Sequence, residues 1–168
     1  MERFWNIVHY FAYKADYKFH LWFNKINPVY LFYKLPFAKK HFEKMGIDPV
    51  TEVNKAFKRP DIGLSSIVAG GLMYVLIGLL CLGLICLYIA INKVEFSVKI
   101  YPFIIIFAIS FIVNHFWLFR RDKYLGYFKE FEKMEKTEKK KWAWISLGVI
   151  LGILAFSIGN FIFMDYRL

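Results

Sequence analysis

Ser110, Asn114 and His115 are the polar side chains of this 168-residue chain best placed to do chemistry, because they cluster inside an otherwise apolar run, Ile100 to Phe119. A titratable group in such a setting is a functional candidate, since polar groups in apolar surroundings are costly unless they serve a purpose. Histidine changes charge near pH ~6.5 when unperturbed, so His115 suits proton handling or a gate. Its competing role is structural, as a hydrogen-bonding partner of serines at a similar depth, Ser65, Ser66 and Ser146. A transporter site would gather several such groups at the middle of its apolar segments, and there the sequence is bare. Asn160 lies near the far end of another run and is too distant to join Asn114.

Elsewhere the usual catalytic patterns are missing. There is no Ser-His-Asp constellation, no glycine loop that could cradle phosphate before a helix, no His-Glu-x-x-His and no internal repeat of the transporter kind. No catalytic, cofactor-binding or metal-ligating residue is therefore assigned, and His20 and His41 lack a second ligand at metal spacing. A membrane-bound enzyme acting on lipid, with Asp61, His41 or Glu43 near the headgroups, is the weakest of the readings considered. Arg3 and His9 have a spacing that resembles the Arg-then-His active motif of the HEPN ribonucleases. That match covers seven residues, Arg3 to His9. A HEPN domain is a soluble helical bundle, so the pair is read as the basic start of an interfacial helix.

The elements that position these residues follow from hydropathy. Ile62 to Asn92 is 31 residues without Asp, Glu, Lys, Arg or His. As one helix it would reach roughly 46 Å, against a hydrocarbon core of about 30 Å. Two further runs, Ile100 to Phe119 and Trp142 to Met164, complete an expected set of three transmembrane helices. The composition, 58% hydrophobic and 21% aromatic, agrees with an all-α integral membrane protein rather than a soluble domain. The expected layout is residues 1–61 as an aromatic, basic region of interfacial helices, then a three-span domain over 62–168 with a helical cytoplasmic loop at 120–141.

Charge sets the orientation. Of 23 Lys and Arg residues, 11 precede Asp61 and 9 lie from Arg120 to Lys141, whereas 2 fall between Asn92 and Ile100 and 1 follows Met164. The positive-inside rule then predicts a cytoplasmic N-terminus, an outer C-terminus and a short outer loop at Lys93 to Lys99. Trp5, Trp22, Trp117, Trp142 and Trp144 all fall near the cytoplasmic boundary, where indole rings anchor membrane proteins. The Lys-rich, Arg-poor composition and short loops fit a bacterial inner membrane. The apolar start of the chain is broken by Lys14, Asp16 and Lys18, which is unlike a signal peptide.

Within residues 1–61, Phe4, Val8, Phe11, Ala15, Phe19 and Trp22 form a helical stripe with Lys14, Lys18 and Lys25 on another face, so the expected partner is a bilayer with anionic headgroups. Asn27-Pro28 should end this helix. Val29 to Tyr33 is too short to argue as strand or span, and whether it lies on or dips into the bilayer stays open. Phe37 to Met45 reads as a short helix ending at Gly46, and Asp48-Pro49 as the start of another that runs through Phe57. Arg59-Pro60 is the elbow into the first span.

Packing signals lie in glycines. Gly70, Gly71, Gly78 and Gly83 allow another backbone to approach the first span, and Gly70-Gly71 could bend it. Gly148, Gly152, Ala155 and Gly159 form a small-residue seam on the third span, suited to a partner helix of this chain, of a second copy or of another membrane protein. Cys81 and Cys86 lie on one helix in positions that cannot bridge each other. Arg120 to Lys141 should continue the second span into the cytoplasm, with Tyr124, Phe128 and Phe131 as an apolar face that needs a cover, and turn near Lys139 to Lys141 back into the third span. That basic run reads as a topology anchor, and nucleic acid is disfavoured as a partner. The functional expectation is a small non-enzymatic membrane anchor, accessory or immunity component that docks a partner through its cytoplasmic helices and its seam. The alternative is a homo-oligomeric pore with Asn114 and His115 at a constriction.

Overall fold

The computed structural model describes residues 1–94 and 100–167. It is helical over 87% of its length, with no strand among the described residues. The order is α1 (Glu2–Phe23), α2 (Pro28–Tyr33), α3 (Pro36–Lys44), α4 (Pro49–Lys58), α5 (Leu64–Asn92) and α6 (Ile100–Asn114). A π-helical turn (His115–Phe119) and a 3-10 turn (Arg120–Asp122) lead into α7 (Lys123–Glu132), and α8 (Lys136–Arg167) ends the chain. Three segments, Leu64–Asn92, Ile100–Glu132 and Lys136–Arg167, are long and apolar enough to cross a membrane. The expected outer loop lies, beyond Val94, outside the described residues.

Local chemistry accounts for the short helices. Pro28, Pro36 and Pro49 each open one, at the position where a missing N–H costs nothing. Asn27 and Asp48 cap α2 and α4 by accepting from the backbone N–H of Val29 at 3.0 Å and of Val50 at 3.1 Å. After α3 the chain turns at Gly46 with φ +66°, a left-handed conformation that glycine adopts without penalty. The six residues from Pro28 to Tyr33, unassigned from sequence, are thus a proline-started helix.

The segment after α6 departs from expectation. Its helix widens into the π turn, and Arg121 and Asp122 both take positive φ, 58° and 52°. Two consecutive non-glycine residues in that region end the helix, so α7 is a separate element and not a continuation of α6. The turn into α8 falls at Lys133–Glu135, and Lys139 to Lys141 lie inside α8 instead of forming the turn. Lys139 Nζ donates to the Glu132 carbonyl at 2.7 Å, tying that helix start to the end of α7.

The chain forms two compact units, Met1–Phe11 with Gly71–Leu168, and Ala12–Gly70. In the first, the start of α1 is surrounded: Trp5, Asn6, Ile7, Val8, His9 and Tyr10 are all buried in succession. A one-sided stripe would leave half of these exposed, so this part of α1 is a core element. Trp5 and Val8 pack with Met73, Leu76, Ile77 and Leu118. His9 and Tyr10 meet Phe128, and Tyr10 also meets Phe131, so the start of α1 is the cover that the apolar face of α7 needs. A second cluster, Cys86, Ile89, Ala90 and Met164, closes the other end of α5 against α8. Cys81 and Cys86 are both free thiols.

In the second unit, the His20 ring stacks on Phe57 at 3.5 Å between centroids, joining α1 to α4. Asn24 Nδ2 donates to Asn54 Oδ1 at 3.0 Å and contacts His20 Nε2 at 2.9 Å. The Tyr13 hydroxyl donates to the Lys58 carbonyl. At the elbow Arg59 pairs with Asp61 at 2.8 Å, and Ser66 Oγ donates to the Pro60 carbonyl at 2.7 Å. The hydrogen bond from Arg59, followed by one from the Ile62 backbone N–H, holds the Asp61 carboxyl down to about 2.

Candidate functional site: a polar pin and an open glycine face

Ser110 and Asn114 are one helical turn apart and so share a face of α6. Both are buried. Asn114 Oδ1 accepts from Trp5 Nε1 at 2.9 Å, while its Nδ2 donates to the carbonyls of Met73 at 3.2 Å and Ser110 at 2.9 Å. Ser110 Oγ donates to the Tyr74 carbonyl at 2.7 Å. On α8, Ser157 Oγ donates to Leu79 O at 2.8 Å. Polar side chains of α6 and α8 therefore bind the backbone of α5, the form of interhelical bonding that apolar surroundings favour. One residue further on, about 100° around the helix, His115 lies on a different face. It is exposed and stacked on Phe111 at 5.9 Å, so the structure does not bring it to Asn114.

Ser146 and Ser65 are buried, and their hydroxyls have no hydrogen-bond partner among the described residues. Asn160 donates to the Phe156 carbonyl of its own helix. The sequence reasoning missed Asn6, whose Nδ2 donates to the Trp117 carbonyl at 2.9 Å and the Glu2 carbonyl at 2.9 Å. It also missed two ion pairs across more than a hundred residues, Arg3 with Glu130 at 2.9 Å and Glu2 with Lys123 at 2.9 Å. The hydrogen bond from Lys123 holds the Glu2 carboxyl below its usual range. The Arg3–His9 pair is separated by function as well: Arg3 binds Glu130, while His9 is wholly buried among the rings of Phe119, Tyr124 and Phe128.

The five tryptophans occupy different environments. Trp5 is buried, Trp117 and Trp142 are half-buried, and Trp22 and Trp144 are exposed. The Trp142 ring meets Phe4 edge-on at 6.4 Å.

The small-residue seam is open. A Cβ added at Gly148, Gly152 or Gly159 would meet no other described residue within 4 Å, and Ala155 is exposed. The side of α8 that packs within the unit carries Val149, Ile150, Ile153 and Ser157 instead. The glycine that admits α8 against α5 is Gly83, where a Cβ would stand 2.9 Å from the Phe156 ring and 3.1 Å from the Ser157 Cα. At Gly78 the nearest atom is 3.8 Å away, and at Gly71 nothing is within reach. Of the most apolar windows in the three long segments, only 33%, 17% and 11% is buried within the chain. The rest of that surface needs an apolar cover from outside the chain.

These features define an all-helical protein whose three long apolar helices suit a membrane. Comparisons with protein-family models, with curated proteins and with solved structures match nothing to this chain.

Proposed function

We propose that this is a small non-enzymatic integral membrane protein that docks a partner membrane protein, as an anchor, accessory or immunity component. The observation that carries the reading is the open face of α8: beyond the local helix backbone, a Cβ added at Gly148, Gly152 or Gly159 would meet no described residue within 4 Å. In lipid, where apolar burial does not drive helices together, such faces associate by close backbone approach. Docking is preferred to a pore because Asn114 is occupied by Trp5, Met73 and Ser110 and does not share a space with His115.

The proposed orientation is N-terminus in the cytoplasm and C-terminus outside, in a bacterial inner membrane. It rests on the basic residues at 1–60 and 120–141. In the first unit, Glu2 and Arg3 of α1 pair with Lys123 and Glu130 of α7, and Phe4 meets Trp142 of α8, so these stretches of α1, α7 and α8 adjoin. The basic residues beside exposed rings such as Phe19 and Trp22 suit a surface of anionic headgroups.

The test is affinity purification in mild detergent followed by native mass spectrometry, on the wild-type chain and on Gly148→Leu/Gly152→Leu. The expected result is a stoichiometric membrane subunit that the double variant loses while its own fold is kept. Unchanged assembly in the variant would overturn the docking reading, and a homo-oligomer alone would return the pore to consideration.

A further inference from the structure

In the second unit, the later half of α1 has two distinct sides. Tyr13, His20 and Asn24 lie about 100–140° around the helix from Phe19, and this side is held within the unit. His20 stacks on Phe57, Asn24 donates to Asn54, and the Tyr13 hydroxyl donates to the Lys58 carbonyl. Phe19, Trp22 and Phe23 share another face, at spacings of three and four. Although large, they are 60%, 55% and 44% exposed. The Phe19 ring meets Trp22 at 5.7 Å and Phe23 at 6.3 Å between centroids, so the three form one continuous apolar patch that needs a cover.

The connection of this unit to α5 indicates the cover. The unit includes the first residues of α5, Leu64 to Gly70, and α5 is long and apolar enough to cross a membrane. Five residues, 59–63, join α4 to it, a reach of at most ~22 Å. Bonds hold that link short: Arg59 pairs with Asp61, the Gly63 N–H donates to the Arg59 carbonyl, and Ser66 Oγ donates to the Pro60 carbonyl. Ile62, Leu64, Ile67 and Val68 are exposed at the mouth of α5, which therefore needs the same apolar medium as the rings. Lys18, one turn before Trp22, is exposed beside the patch, where its ammonium can stay in water while the rings are covered. We propose that Phe19, Trp22 and Phe23 insert into the acyl boundary of the leaflet that α5 enters, so that this half of α1 is an anchor in the membrane plane with α4 on its water side. The occupant is the apolar layer of the bilayer, whatever its headgroups. The inference rests on the membrane residence proposed above, and it is independent of the α8 seam.

The test places a nitroxide on single cysteines of the full-length chain in phosphatidylcholine nanodiscs, with Cys81→Ala and Cys86→Ala removing the native thiols. Power-saturation EPR then reads collisions with oxygen, which concentrates among acyl chains, and with a water-soluble nickel chelate. Phe19→Cys and Trp22→Cys are made one at a time, so that the remaining rings keep the face seated. The ratio of oxygen to nickel access at both should exceed that at Ala56→Cys several-fold. Ala56 is exposed and lies about 200° around α4 from Asn54, on the side away from α1. Nickel access at Phe19 and Trp22 equal to that at Ala56 would overturn the proposal, because the rings would then be in water. Exclusion of both reagents would overturn it too, because a second copy or another protein would then cover the face. Phe107→Cys, at an exposed position in the middle of the Ile100 to Phe119 run, separates the two readings. Nickel access at Phe107 would refute membrane residence itself, whereas oxygen at Phe107 with nickel at Phe19 would refute the anchor alone. Far-UV circular dichroism checks that each labelled chain keeps its helices.

Discussion

Replacing Asn114 with leucine removes the side chain that joins α1, α5 and α6 while keeping a similar size. The carbonyls of Met73 and Ser110 remain within their helices, so the loss concentrates on Trp5, whose indole N–H stays buried without an acceptor. An orphaned buried donor costs ~1–3 kcal/mol. Interhelical bonds in membrane proteins contribute ~0.6 kcal/mol on average and up to ~1.7 kcal/mol. Asn114→Leu should therefore destabilise the protein by roughly 1.5–3 kcal/mol, about a tenfold to hundredfold loss in the folding equilibrium. The assay is unfolding by SDS in mixed micelles, followed by far-UV circular dichroism. A cycle with Trp5→Phe should show a coupling of ~0.6–1.7 kcal/mol, since either change alone breaks the same bond. His115→Leu is the comparison and should stay within about 0.5 kcal/mol, because His115 is exposed. A coupling near zero, or a His115 variant as damaged as the Asn114 one, would refute the assignment of Asn114 as the pin.

Gly83→Ala should destabilise by ~1–3 kcal/mol in the same assay, because the added methyl meets the Ser157 backbone at 3.1 Å as well as a movable ring. Phe131→Ala should cost ~3–5 kcal/mol, the scale for deleting a fully buried ring, whereas Arg3→Gln, which breaks an ion pair with both side chains about half exposed, should cost under ~1 kcal/mol. The Asp61 carboxyl should titrate near pH 2 by NMR, and Arg59→Gln should return it toward ~3.9. Because its folded value is depressed, the pairing should stabilise the elbow above the ordinary carboxylate range and lose that effect as pH falls toward 2.

The long apolar helices were legible because their signal is local: an uncharged run of spanning length specifies a helix wherever it packs. The Asp48 cap and Pro49 start of α4 were legible for the same reason, whereas Asn27-Pro28 was read only as the end of α1 and Val29 to Tyr33 was too short for periodicity to decide. The site was legible in part. Ser110 and Asn114 are four residues apart and share a face, while the adjacent His115 could have been placed on another face by the same geometry. The burial of Asn6 and His9 was not readable, since the residues that enclose them lie more than a hundred positions away and leave no trace in the pattern of α1. The seam on α8 was recognisable as small residues, but only three-dimensional packing shows that Gly83, not Gly148 or Gly152, carries the contact with α8 inside the chain.

The enclosure of residues 5–10 has a consequence for biogenesis. Asn114 and Trp117 lie 109 and 111 positions beyond the α1 residues they hold, and Glu130 lies 127 beyond Arg3. During synthesis the α1 segment leaves the ribosome well before these partners exist, so its rings stay unsheltered until α6 and α7 have been made. Seating α1 is then a late step that fastens α5 and α6 after both have been made.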